Sequence, residues 1–384
     1  MPTSPNKTIT LFNLHTGFWA FGNKIVYIFG PVYMLKSGVS LPIVALIWGF
    51  SYTARFILRP LSMLLVKKIG LKKALIIGTV VYGGIFPIIY QVRGVGWWMW
   101  FLVIYLAVSD ILYFLPYHSL YAGIGDLERR GQQLASRAIA SLLFATAAPI
   151  VGAILAAAFG FKATYLAGVL SLLAAAVPLI FIDDFRGNVE MGFREAYRSI
   201  DFRGFWTMLG DAVKVQMETF VWVVSVFFLS ADLVNFGWLI GLQTFLTTLL
   251  LLILGRLIDG GKAKKIFLVG SLGMALLYVS RAFLVSNITG VLLAQIALAV
   301  ILVFWETPFD TVLYNMAKQT KSTLWFHFFG EAGADVGNGI MFYLTALLVY
   351  AGFKIQHLLV LGVLAAVITK PLLDSYFKSQ GSNP

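Results

Sequence analysis

Apolar runs of about 18 or more residues, long enough to cross a bilayer as a helix, recur along nearly the whole chain and dictate what it can fold into. They lie near 11–35, 42–66, 74–91, 97–123, 136–159, 163–182, 205–230, 236–258, 266–285, 290–316, 322–350 and 355–376. In lipid a backbone has no water to bond, so a run of this length must satisfy its own N–H and C=O groups, which a helix does and an open strand does not. The expectation is an all-α membrane protein with twelve transmembrane helices. Composition agrees: 59% of the residues are hydrophobic, 12% are charged, and the mean hydropathy is +0.86, more apolar side chain than a soluble domain buries. The first run lacks a small-residue cleavage site and is read as a retained span.

The net charge of +12 needs no nucleic acid to explain it. With the N-terminus placed in the cytoplasm, nineteen of the 29 Lys and Arg fall in inner segments, four in outer ones and six inside spans. That bias orients both termini toward the cytoplasm of an inner, cytoplasmic membrane. Cys is absent and the four His are scattered, which excludes disulfides, thiolate nucleophiles and cysteine metal sites and offers no zinc spacing. No Gly-x-x-x-x-Gly-Lys-Ser/Thr loop is present, so ATP-driven chemistry has no carrier. Neither an enzyme nor a cofactor is expected.

The longest polar stretch, DDFRGNVEMGFREAYRSIDFRG at 183–204, divides six spans from six. It predicts an N-terminal half over 1–182, a cytoplasmic linker over 183–204 and a C-terminal half over 205–384. Within the linker Phe193, Ala196, Tyr197 and Ile200 recur at helical spacing, as in an amphipathic helix at the membrane surface. The halves align at an offset of 192 residues without a gap: Gly49 with Gly241, Lys72 and Lys73 with Lys264 and Lys265, Gly78 with Gly270, Pro116 with Pro308. Beyond the prolines, Tyr117-His118-Ser119 matches Phe309-Asp310-Thr311. These identities fall at the same place in the same span each time, the mark of a duplicated six-helix unit.

Two such halves, together with the loop GRLIDGGKAKK, make the chain resemble the major facilitator superfamily, whose members pair two six-helix halves about an axis along the membrane normal. Gly255, Asp259, Lys262, Lys264 and Lys265 supply the Gly-x-x-x-Asp and basic residues that the family carries after the second helix of a half. The first half departs from it, with Met63 and Lys67 at the Gly and Asp positions and Gly70, Lys72 and Lys73 retained. DLERRGQQLAS at 126–136 is similar to the charged loop after the family's fourth helix, and APIVGA at 148–153 is a weaker likeness to a motif of proton-linked exporters. The resemblance implies that helices 1, 4, 7 and 10 line a central path.

A charged side chain at the bilayer centre costs about 2.5–3.5 kcal/mol on insertion scales, so each one needs a partner or a task. On the path-lining helices these are Lys24, Asp110, Glu218, Glu306 and Asp310. Lys24 and Asp110 stand at matched depth and are expected to pair, either as a fixed ion pair or as one that a substrate or proton contests. Glu306 and Asp310, at i and i+4, share a face where two carboxylates favour holding a proton; Asp310 has the alternative of solvation at the inner interface. Glu218 follows Lys214 by four residues, and an intrahelical pair is open to both. His118 and Asp310 are equivalent in the duplication, which offers a proton-sensitive contact or an ordinary interfacial histidine. Arg281 and Lys370 are read as snorkelling to the interfaces. The glycines of GEAGADVGNG, Gly333 and Gly337 among them, predict close helix packing.

Arg55 and Arg59 share one face of the second span, and Glu331 and Asp335 share one face of the eleventh at matching depth. They are expected to form an inter-half latch, with pairing to Asp110 inside the first half as the other reading. The leading function is secondary active transport of a small charged or zwitterionic organic solute by alternating access, with a proton as coupling ion. A lipid flippase and a non-transporting receptor or scaffold are the alternatives. The expected partners are the solute, the proton and membrane lipid, the protein acting as a monomer.

Overall fold

The structure, a computed structural model, describes residues 5–124, 130–182, 197, 202–230, 232–258, 263–320 and 322–381. The chain forms two compact units, Met1–Met191 and Gly192–Pro384. The first unit contains α1 (Pro5–Lys36), α2 (Leu41–Ile69), α3 (Leu71–Ile89), α4 (Trp97–Ile124), α5 (Arg130–Phe159) and α6 (Phe161–Ile180). The second contains α7 (Phe202–Leu229), α8 (Leu233–Ile258), α9 (Ala263–Phe283), α10 (Ile288–Gln319), α11 (Thr323–Tyr350) and α12 (Val363–Gly381), the last entered through a 3₁₀ stretch, Ile355–Gly362. Each apolar run is thus a helix. Among the described residues ten are long and apolar enough to cross a membrane. The two that fall short are α1, where Asn13, His15, Asn23 and Lys24 dilute the apolar run, and the final helix with its 3₁₀ entry. Most of the 183–204 linker, and with it the proposed amphipathic helix, lies outside the described residues, and α7 begins at Phe202, inside the segment expected to be linker.

The units share one packing scheme. In the first, α1 packs on α5 and α6, α2 on α4, and α3 on α4 and α6; in the second, α7 packs on α11 and α12, α8 on α10, and α9 on α10 and α12. One contact shows why the duplicated glycine and proline are both needed. Pro116 and Pro308 have no N–H to give the carbonyl four residues back, at Leu112 and Phe304. Those carbonyls are the ones on which Gly78 and Gly270 sit: an added Cβ would lie 2.5 Å from the Leu112 oxygen at Gly78 and 2.6 Å from the Phe304 oxygen at Gly270. Backbone cannot yield as a side chain can, so both positions require glycine for this approach. The small residues of α11 act as expected, Gly333 and Gly337 abutting the Phe205 and Leu209 carbonyls of α7.

Buried and exposed residues divide α2 by face. Tyr52, Arg55, Arg59 and Ser62 are buried, whereas Phe56, Ile57, Leu61 and Leu64 are exposed, as expected where the outer face meets acyl chains and charges turn inward.

Candidate functional site

In the first unit the polar residues gather between α1, α2, α3 and α4. Asp110 of α4 accepts a hydrogen bond from Arg55 Nη1 at 3.1 Å, with both side chains buried. The Arg55 guanidinium lies 4.8 Å from the Tyr52 ring centroid and 5.8 Å from that of Phe114, a favourable setting for a desolvated cation. Here the expectation of a Lys24–Asp110 pair is corrected: Arg55 holds the carboxylate, and among the described residues Lys24 has no ion-pair partner. The physical reason is reach, because Arg55 stands on α2, which packs directly on α4, and a guanidinium beside two aromatic rings is well matched to a buried carboxylate. Next to Lys24, Asn23 Nδ2 donates to the Tyr82 hydroxyl at 3.1 Å, and Tyr82 donates to the Tyr27 hydroxyl at 3.4 Å.

A column of aromatic rings runs beside this cluster. Trp19 stacks on Tyr113 with centroids 4.3 Å apart, and Tyr113 stacks on Tyr117 at 5.4 Å. His118 is half-buried among these rings, stacked on Phe114 at 6.3 Å and edge-on to Tyr117 at 5.3 Å. His15, which the sequence reading passed over, is a satisfied core histidine: Nδ1 donates to the Ala175 carbonyl at 2.9 Å, which leaves Nε2 to accept from the Tyr113 hydroxyl at 3.1 Å.

In the second unit α7 carries two ion-pair centres four residues apart. Lys214 is buried and lies 2.8 Å from Asp211 Oδ1, one turn earlier, and it also forms a hydrogen-bonded ion pair with Glu306 of α10. Trp305 Nε1 donates to Asp211 at 3.4 Å. The Lys214 ammonium is 5.8 Å from the ring centroids of Trp305 and Phe309. One ammonium is therefore shared by two carboxylates against an aromatic wall. Glu306 keeps 34% of its side chain exposed, whereas Lys214 keeps 3%.

The other centre joins Glu218 to Arg281 of α9. A single Nη1 reaches both carboxylate oxygens at 2.9 Å, and the guanidinium lies 4.2 Å from the Trp222 ring centroid. This corrects two expectations. Lys214 and Glu218 do not pair with each other but face α10 and α9, where Glu306 and Arg281 engage them; Glu218 lies in a π-helical turn, Met217–Val221. Arg281 does not snorkel: it is fully buried.

The remaining candidates separate. Asp310 is exposed, whereas Glu306 one turn earlier is engaged with Lys214. Arg59, Glu331 and Asp335 are all buried. In the loop motif Gly255 lies in α8, Asp259 lies outside the described residues, Lys265 is exposed, and Lys264 sits 3.4 Å from Asp374 of α12. Lys370 Nζ donates to the same carboxylate at 3.0 Å. Sequence reasoning missed Asp211, Trp305 and Trp222. Asp211 had a visible signal in its i, i+3 spacing to Lys214; the two tryptophans had none, since their roles come from neighbouring helices.

No protein-family model and no curated protein matches the chain by sequence. Solved structures do match it. A proton-dependent oligopeptide transporter superposes with a TM-score of 0.65 at 11% identity, over 97% of this chain and 100% of that one. The Escherichia coli fucose:proton symporter superposes with a TM-score of 0.70 at 14% identity, over 97% and 99%. At such low identity the likeness speaks for architecture, and with the repeated six-helix packing scheme it places the chain in the fold of the major facilitator superfamily.

Proposed function

We propose that the protein is a proton-coupled secondary active transporter of a small charged or zwitterionic organic solute, working by alternating access. The observation that carries this reading is the Lys214 ammonium shared between Asp211 and Glu306. A buried ammonium with two carboxylates within reach supports proton exchange: when Glu306 takes a proton its attraction for Lys214 ends, and Asp211 keeps the ammonium neutralised. The charged groups that bear on Glu306 are Asp211, Lys214 and Glu218 of α7, with Arg281 of α9 beyond them and Asp310 on its own helix. That the two solved structures similar to this chain are a proton-dependent transporter and a proton symporter agrees with it.

The reading includes twelve spans, with α1 and the last helix crossing despite their lower hydropathy, both termini cytoplasmic in the inner membrane, and a monomeric chain acting without a cofactor. It treats 1–182 and 205–384 as its halves. The decisive experiment is solute uptake into proteoliposomes with and without an inward proton gradient, wild type beside Glu306→Gln. The variant should keep exchange of solute across the membrane and lose gradient-driven accumulation. Accumulation at the wild-type rate would overturn the assignment of Glu306 as the coupling carboxylate.

A further inference from the structure

Among the described residues Lys24 has no ion-pair partner. It lies twelve residues before the end of α1 at Lys36, about 18 Å along the axis at 1.5 Å per residue, so it stands deep in the span. It is half-buried. Gly22, two positions earlier and so on nearly the opposite side of the helix, packs on Leu172 and Gly168 of α6. Lys24 therefore points away from the α6 contact. Since an unpaired ammonium at that depth costs about 2.5–3.5 kcal/mol against lipid, the open face it occupies is one that admits an anion.

The neighbours of Lys24 ask for the same kind of ligand. The Trp19 indole N–H, on the same helix, is buried and has no acceptor among the described residues. Asn23, Tyr27 and Tyr82 form a chain of hydrogen bonds beside Lys24, the sort of lining that suits a hydroxylated solute. The duplication sharpens the contrast: the positions equivalent to Trp19 and Tyr113 are Asp211 and Trp305. The same helix pair thus holds an aromatic stack in the first unit, centroids 4.3 Å apart, and an indole–carboxylate bond of 3.4 Å in the second.

We infer that Lys24 anchors the negative group of the transported solute, which is a small hydroxylated organic acid. This deepens the proton-coupled reading and rests on it for the proton. Arg55 already neutralises Asp110, so the Lys24 ammonium is left for the negative group of a solute.

The test is uptake of labelled gluconate, glucuronate and quinate, acids that cross lipid slowly, beside glucose and alanylalanine, into proteoliposomes and empty liposomes. At least one acid should accumulate with an inward proton gradient. Lys24→Gln should raise the KM for that acid tenfold or more, with Lys24→Arg in between. Unchanged KM in Lys24→Gln, or uptake of glucose or alanylalanine with none of the three acids, overturns the anchor. Lys24-dependent acid uptake indifferent to the proton gradient supports the anchor and overturns the proton-coupled reading. The comparison of the three acids with glucose and alanylalanine uses wild-type protein, so it decides even where Lys24→Gln fails to fold.

Discussion

Replacing Arg281 with methionine removes a cation while keeping an unbranched side chain of similar length in a fully buried position. Glu218, with 10% of its side chain exposed, then loses the Nη1 group that bonds both its oxygens at 2.9 Å. A buried carboxylate stripped of its partner costs about 3–5 kcal/mol, and the lost cation–π contact with Trp222 adds up to about 2 kcal/mol. For a unit of this size each kcal/mol shifts the melting temperature by roughly 2–4 °C, so a fall on the order of 10 °C is expected. Glu218→Gln alone should also destabilise, because it leaves the guanidinium unpaired. The double variant, with neither charge, should cost much less than the sum of the two. Unfolding is best followed by tryptophan fluorescence in detergent, since a chain without cysteine gives no signal to thiol-reactive dyes. A fall under about 2 °C for Arg281→Met, or strict additivity in the double variant, would refute the argument that the pair is held by mutual neutralisation. If the centre is structural, the double variant should also keep gradient-driven transport.

Gly78→Ala and Gly270→Ala place a methyl group about 2.5 Å from a backbone oxygen and should each cost roughly 1–3 kcal/mol by overpacking; Gly83→Ala, with its nearest neighbour 4.0 Å away, should be tolerated, and equal melting temperatures for all three would sink the account. Asp211→Asn should impair gradient-driven uptake as Glu306→Gln does, because Lys214 then has a single carboxylate to rest on; undiminished uptake would make Asp211 a bystander. Arg55 pairs with Asp110 inside its own unit, the other reading of the sequence, so the proposed latch rests on Arg59 with Glu331: Arg59→Glu should impair transport and Glu331→Arg should partly restore it, and a complete lack of rescue in folded, inserted protein would count against the latch.

What the sequence determined by itself is the helical architecture and its repetition. Span limits are legible because crossing a bilayer demands a long apolar run, and the run ends where lipid would meet charge or a glycine with positive φ, as at Gly70 and Gly160. The duplication is legible because the offset keeps Gly78 and Pro116 in step with Gly270 and Pro308. It could also be read that Lys24, Arg55, Asp110, Lys214, Glu218 and Glu306 would not face lipid, since the cost of a charge depends on depth, which follows from position in the run. Only the tertiary structure decided who partners whom. Matched depth offered Lys24 for Asp110, but Arg55 on the adjoining helix takes it. Helical spacing offered Lys214 for Glu218, but Glu306 of α10 and Arg281 of α9 take them. Arg281 looked like an interfacial residue until α9 placed it against Glu218 and Trp222. Depth is a one-dimensional property that a chain carries along its length; pairing also depends on how each helix is rotated and which helix lies beside it, and these are set by the packing of glycines, prolines and rings across the whole unit.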